Sequence, residues 1–327
     1  MIAHVSYLVD PAKLEALAGV DWPFLLSPLR DPLYLSLILG TAAVVIAAVV
    51  ACESIESLRR PLGHFRDRLL EYRTFVPLFL RLTLGIALIV SGTAGTIFLP
   101  NVPAPAFGTL EVVLGYCLLV GLMVRPCGLV ALALFAWGLW TSRYMLGAVE
   151  CAAAALLVSA YGASRPSADE LLGIDVGGSV LEPLWRPIRE HVTLLVRLAL
   201  GSTLIWLAVT EKMLNPRVSE VVVLDYGLES VIPVNSAMWV FAVGSIELIV
   251  GTVLVLGLYT RVAAIVTALV LTSSFFYFRE EVAGHVTFFG ALLVLMSTGA
   301  GRVSLDAVFA ARRRPRPARA AAQPAAS

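Results

Sequence analysis

The chain has 327 residues, of which 59% are hydrophobic and only 14% charged, with a mean hydropathy of +0.87 and a net charge of +1. This excludes a soluble globular domain, which draws about a quarter of its residues from the charged set. The near-neutral balance also gives nucleic acid nothing to bind, since that affinity rests on a basic face.

Residues 1–31 are mixed and hold a short amphipathic candidate. Asp10 is placed to cap it, Pro11 suits its first turn, and Leu14 and Leu17 share a face. The first long apolar run begins only near Leu33 and continues to Ala51. A secretory signal keeps its apolar region close behind a basic start, so this run is expected to stay as a transmembrane helix. Residues 53–75 follow as a basic loop with Arg59, Arg60, Arg66, Arg68 and Arg73. Four hydrophobic segments lie near 76–99, 106–124, 127–145 and 148–163. A polar stretch runs from Ser164 to about His191, and four more segments lie near 193–213, 237–258, 262–278 and 284–299. The Arg-, Pro- and Ala-rich tail from Arg312 to Ser327 is expected to be disordered.

Segments of this length and apolarity approach the roughly 20 residues that span a bilayer as helix. They predict nine helices in an all-α, polytopic transmembrane helical bundle: two parallel four-helix repeats plus one N-terminal transmembrane helix. The expected divisions are 1–75, the first repeat 76–172, a cytoplasmic linker 173–191, the second repeat 192–309 and the tail 310–327. Positive charge sets the expected orientation. Of the 24 Lys and Arg, sixteen fall in alternate connections that include the 53–75 loop and the tail, and six on the other side. The N-terminus is therefore expected outside and the C-terminus in the cytoplasm of a multi-pass protein of the cell membrane.

The repeat is visible in polar and glycine positions. Glu247, Gly251, Gly257 and Arg261 have the spacing of Glu111, Gly115, Gly121 and Arg125, displaced by 136 residues. Arg81 and Gly85 answer to Arg197 and Gly201, and Pro100 to Pro216. Gly162, Arg165, Ser167 and Asp169 answer to Gly299, Arg302, Ser304 and Asp306. Such self-similarity is read before any fold is argued. Gly115, Gly121, Gly251 and Gly257 are expected to permit close helix packing. Arg125 and Arg261 read as interfacial anchors.

Counting helical rise from the arginines places Glu111, Glu247, Lys212 and Glu150 about 21 to 22 Å from the inner edge, with Arg143 and His285 slightly further out. With Glu211, Arg279, Glu280 and Glu281 they form an expected polar belt in the outer third of the membrane. A lone charge at such depth is costly, so Lys212 is expected to meet Glu247, and Arg143 to reach inward to Glu111, where Thr96 replaces the lysine. The bland reading of the belt is a set of structural ion pairs and snorkelling side chains. Cys117 and Cys127 lie ten residues apart, about 15 Å along a helix, too far to bridge. All four cysteines read as buried apolar residues. Only His285 among four histidines approaches the membrane interior, which leaves no pair for haem. No zinc-type spacing or phosphate loop stands out, so no metal and no cofactor bound covalently or by motif is expected.

The two copies resemble tandem units of the DoxX-like (DoxX/DoxD) family of small four-helix membrane proteins, over about 76–172 and 192–309. The resemblance rests on Arg197-Leu-x-Leu-Gly201, Lys212 and Pro216, Glu247-x3-Gly251-x5-Gly257-x3-Arg261 and the closing Gly299-x-Gly301-Arg302-x-Ser304-x-Asp306. Copy one departs at Thr96 and at Ser164, which stands for Gly301. The resemblance implies a helical bundle associated with redox complexes, similar to the membrane subunit of thiosulfate:quinone oxidoreductase. The implied partners are the lipid bilayer and a soluble or membrane oxidoreductase subunit, with quinone or a small sulfur compound as ligand. A carrier for a small solute or protons, and a non-catalytic membrane scaffold, are the alternative readings.

Overall fold

The computed structural model describes residues 16–178, 180–278 and 285–313. The amphipathic candidate at Asp10 and Pro11, the charged run Arg279, Glu280 and Glu281, and the tail beyond Arg313 lie outside the described residues.

The architecture is a polytopic helical bundle. A short helix α1 (Trp22–Leu25) begins with Asp21, whose carboxylate accepts from the Phe24 N–H. Helix α2 (Pro32–Ser54) starts at Pro32 behind an Asp31 cap. Its side chains are exposed along most of its length, Leu33, Leu39, Val44 and Ile46 among them. An apolar helix with so little protein cover needs lipid around it. The basic α3 (Glu56–Glu71) leads into α4 (Val76–Ala94).

A two-stranded antiparallel hairpin, β1 (Thr96–Ile97) and β2 (Leu99–Pro103), follows α4 and is the described departure from helix. Helices α5 (Gly108–Val120), α6 (Val124–Thr141) and α7 (Val149–Tyr161) complete the first unit. The connection to the second unit is more than a polar linker. It carries α8 (Ala168–Leu172) and α9 (Glu182–Glu190), and Trp185 of α9 is buried under the Arg125 guanidinium.

The second unit consists of α10 (Val192–Leu207), which continues through a π-helical turn (Ala208–Met213), then α11 (Pro216–Asp225), α12 (Leu228–Val231), α13 (Ser236–Leu256), α14 (Thr260–Phe278), α15 (Val286–Thr298) and the terminal α16 (Leu305–Arg313). Among the described residues, five helical stretches are long and apolar enough to cross a membrane: Gly63–Ala94, Val124–Thr141, Arg143–Tyr161, Val192–Met213 and Ser236–Leu256. Four shorter apolar helices accompany them: Pro32–Ala47, Pro105–Val120, Thr260–Phe275 and Val286–Thr298.

At one end of the bundle the same set of bonds occurs in both units. Arg81 donates to the carbonyls of Ser164 and Pro166 at 3.3 and 2.6 Å. Arg197 donates to those of Ala300 and Val303, the latter at 2.8 Å. Asp169 accepts from the Met123 and Val124 N–H groups at 2.7 and 2.8 Å and so caps α6. Asp306 accepts from Tyr259 at 3.1 Å, just ahead of α14.

The arginines expected as anchors at the membrane surface are instead tied to protein. Arg125 donates to the Ser159 and Ala160 carbonyls that end α7, and Arg261 to the Met296 and Ser297 carbonyls that end α15. These are orphan acceptors at helix C-termini, where a guanidinium fork is well placed to satisfy them.

The four glycines of the repeated pattern divide by position. A Cβ on Gly115 would meet the Gly85 carbonyl at 2.6 Å, and one on Gly251 the Gly201 carbonyl at 2.8 Å. These two let α4 approach α5, and α10 approach α13. A Cβ on Gly121 or Gly257 would also come within 2.6 Å of the Ser167 or Ser304 side chain, and these two glycines have a second part to play. They end α5 and α13 in the left-handed region, at φ +78° and +69°, as helix stops. The stop at Gly121 also turns the chain so that the Cys117 thiol lies beside Cys127. The distance of about 15 Å holds only for one unbroken helix. Both thiols are free.

Candidate functional site

The polar belt resolves into two centres and some outliers. In the second unit α10 does not finish as α-helix. The Leu214 N–H reaches back to the Val209 carbonyl at 2.9 Å, an i→i−5 bond. Single π turns of this kind recur at functional sites. This one carries Glu211 and Lys212. Lys212 Nζ lies 2.8 Å from Glu211 Oε2 and 3.2 Å from Glu247 Oε2 on α13. Glu211 is fully buried and Lys212 nearly so, while the Glu247 side chain keeps 26% exposure. The ammonium is thus clamped between two carboxylates, the closer of which is its own chain neighbour.

Gly244 makes room for this cation. A Cβ there would come within 2.8 Å of Lys212 Cβ. Asn215 closes the turn by donating to the Thr210 carbonyl at 2.6 Å, and the Ser219 hydroxyl donates to the Glu211 carbonyl at 2.9 Å. Glu247 sits near the midpoint of α13, nine residues before its end at Leu256. Counting back from Arg261 includes the turn and overstates this distance.

Beyond Glu247 a cavity of about 130 Å³ opens between α13 and α14. Ile246, Val250, Val266, Val270 and Phe288 line it, together with Thr267 and Ser274. The two hydroxyls donate to carbonyls of their own helix, Thr267 to Ala263 and Ser274 to Leu271. Glu247 is the ionisable residue on this wall. His285 is buried nearby and stacks edge-on against Phe275 at 5.2 Å and tilted against Phe288 at 6.1 Å.

The first unit has a different centre. Glu111 lies in the first turn of α5 with no exposure, beside Ser91 and the Phe98 backbone, and among the described residues it has no ion pair. Arg143, expected to reach it, is an exposed residue at the start of the turn before α7 and does not pair with Glu111. The serine cap at Ser142 fixes that turn by accepting from the Tyr144 N–H, which starts the chain outward. Glu150 opens α7 and is buried, but its partners come from the other unit. Thr203 of α10 donates to it at 2.9 Å and Thr287 at 3.3 Å. The Cys151 thiol joins them, 3.5 Å from the Thr287 hydroxyl. Glu150 is therefore a junction between the units, and separate from the Lys212 centre.

Sequence reasoning missed Glu211 as the nearer partner. It also missed the N-terminal residues that roof the second centre. The Gly19 N–H donates to Asn215 Oδ1 at 2.9 Å, and Asp21 pairs with Arg217 at 2.8 Å. Arg217 stacks over the Phe24 ring at 4.0 Å, and Leu25 packs with Val223, Leu228 and Val240. The Phe24 N–H and the guanidinium hold the Asp21 carboxyl below its ordinary pKa, and the Glu220 and Asp21 carboxylates raise that of Arg217. Among the described residues no group of three or more His, Cys, Asp or Glu is placed to hold a metal ion.

Comparison with known proteins finds a family match. Residues 192–280, from the start of α10 into α14, fit the model of the DoxX family. No curated protein and no solved structure matches the chain.

Proposed function

We propose that the protein is an integral membrane subunit that serves an oxidoreductase, with a ligand site around Lys212 in its second unit. The observation that carries this reading is the lysine clamped between Glu211 and Glu247 beside a cavity, at the end of a helix broken by a π turn. Such a cluster costs desolvation free energy, and hydrophobic residues of the same volume would fill the space more stably. Its position inside the stretch that matches DoxX supports a functional reason. The resemblance adds the redox association and a quinone or small sulfur compound as ligand, in the manner of thiosulfate:quinone oxidoreductase.

The first unit is read as a second, tandem copy whose polar centre has diverged. Shared bonds at Arg81 and Arg197 and at Asp169 and Asp306 support that duplication. Sixteen-to-six asymmetry in Lys and Arg supports a cytoplasmic location for the Arg81 and Arg197 end.

The test is isolation from membranes under mild conditions with the bound proteins identified. Electron transfer from the copurified partner to a short-chain quinone is then followed. A stoichiometric oxidoreductase partner is expected, with transfer reduced in Glu247→Gln. A chain that purifies alone and whose Glu247→Gln form behaves as wild type in the same membranes removes the reading. Reporters at Gly63 and between Arg217 and Pro233 should give opposite locations, the first cytoplasmic.

A further inference from the structure

The second centre has two possible approaches, and the fold treats them differently. At the end of α10 beyond Lys212, the chain from Gly19 to Tyr34 packs over the second unit. It is pinned by the Gly19–Asn215 bond, the Asp21–Arg217–Glu220 ion pairs and the bond from the Asn235 N–H to the Tyr34 hydroxyl at 3.1 Å. Glu220 in turn accepts from Ser236, the first residue of α13, at 2.7 Å. Leu25 fills the space beneath among Val223, Leu228 and Val240. Asn215 carries the strap on its carbonyl oxygen and the π turn on its amide, so strap and centre share a residue.

The other approach is sideways. The cavity between α13 and α14 reaches Glu247 along walls that are apolar apart from two hydroxyls already bonded to their own helix. Its rim residues Ile246, Val266 and Val270 are 51%, 42% and 57% exposed, the first on α13, which is long and apolar enough to cross a membrane, and the others on the shorter apolar α14.

We infer that the ligand of this centre is an elongated, uncharged amphiphile that enters from the bilayer between α13 and α14. Its chain lies along Ile246, Val250, Val266 and Val270 and its single hydroxyl head rests at Glu247, the carboxylate that Lys212 holds. A hydroxyl head fits because Glu247, the ionisable residue on the cavity wall, offers a carboxylate acceptor there, with Lys212 holding it from behind. A water-soluble ion does not fit, because the strap covers the end from which it would come and the side walls give it no partners. The inference rests on the reading of Lys212 as a ligand site and adds the class of ligand and its route.

The test uses the full chain in phospholipid nanodiscs and a long-chain alcohol with a mid-chain diazirine, with a tail-less diazirine alcohol as the control. Adducts are mapped by peptide mass spectrometry. Helix α2 is the internal standard, since its exposed apolar surface meets the same lipid without a cavity. Peptides of α13 and α14 are expected to carry about tenfold more of the long-chain probe than α2, the ratio one charge-assisted hydrogen bond confers. Glu247→Gln should lower that ratio severalfold. Val270→Trp, at an exposed position that tolerates bulk, should bring it to the level of α2. Arg217→Ala, which frees the strap, should leave it unchanged.

Labelling no greater than on α2, or unaffected by Glu247→Gln, means ordinary lipid chains fill the gap and overturns the inference. Labelling of the centre by the tail-less probe in the wild-type protein means an aqueous route and overturns it too. Strong cavity labelling in a protein whose Glu247→Gln form keeps full electron transfer sinks the proposed function alone. Lost transfer without cavity labelling sinks this inference alone.

Discussion

The two units share a scaffold and differ in what the scaffold holds. At the arginine end, residues 76–172 and 192–309 make matching bonds from Arg81 and Arg197 to the loop carbonyls, and matching glycine approaches, Gly85 to Gly115 and Gly201 to Gly251. At the other end they part. After α4 the first chain leaves the helix for a hairpin at Thr96, whereas after α10 the second continues through the π turn that carries Glu211 and Lys212. The buried acid persists in both, but Glu247 faces a cation and Glu111 faces none. Elements that define helix packing tolerate little change, because backbones meet there. The polar end tolerates exchange of a whole centre, because side chains alone fill it.

The widest difference between the units should appear on removing their polar groups. Lys212→Met leaves Glu211 and Glu247 buried without their cation and should cost about 3–5 kcal/mol in reversible unfolding measured in detergent. Glu111→Gln should change stability by less than about 1 kcal/mol, because no cation is stranded. Equal losses would mean that the first unit hides an ion pair, and the contrast would fail.

Within the second centre, Glu211→Gln should cost more than Glu247→Gln. Its carboxylate is both nearer to Lys212 and without exposure, while Glu247 is partly open to the cavity. The same unfolding assay decides it, and a larger loss for Glu247→Gln would reverse the roles. Combining Lys212→Met with both Gln substitutions should recover much of the single loss, since neighbours in one network are not additive.

A scaffold shared by both units requires equal damage in both. Gly121→Ala and Gly257→Ala each force a Cβ into the left-handed region, at about 1–2 kcal/mol, and also against the Arg81 or Arg197 guanidinium. Melting temperatures of the two variants should fall together. A fall in only one would show that its partner's turn relaxes.

The smallest effect belongs to the strap, which has no counterpart over the first centre among the described residues. Asp21 has its pKa lowered first by the Phe24 N–H and then by Arg217. A carboxylate lowered on folding stabilises the docked form above its unfolded pKa, and that contribution disappears as pH falls through the lower folded value. A spin label at the exposed Leu29 should therefore stay immobile from neutral pH down through the ordinary carboxylate range and gain mobility only below it. In Asp21→Asn the mobility should be raised at neutral pH and flat across the same range.

The sequence by itself determined the membrane class, the helical bundle and the positions of the glycines and buried acids that matter. These are local or periodic properties: a span is a length of apolar residues, and a close helix approach needs a residue without Cβ. The meeting of Lys212 with Glu247 was also legible, because a lone charge within an apolar span calls for an opposite one, and these two lie on successive apolar helices of one unit.

Other features were decided by tertiary structure. Glu211 and Lys212 are neighbours in sequence, and along an α-helix neighbours point about 100° apart. Only the π turn and the reach of the lysine stem bring them together. Arg143 looked close enough to serve Glu111, but the capped turn at Ser142 starts it outward. Cys117 and Cys127 looked far apart until Gly121 reversed the chain. Glu150 has its partners on α10 and α15, across 53 and 137 residues of chain. The strap joins Asp21 to Arg217 across 196 residues. Contacts of that separation depend on how helices pack, and no local pattern of residue types encodes which end of which helix a distant segment will cover.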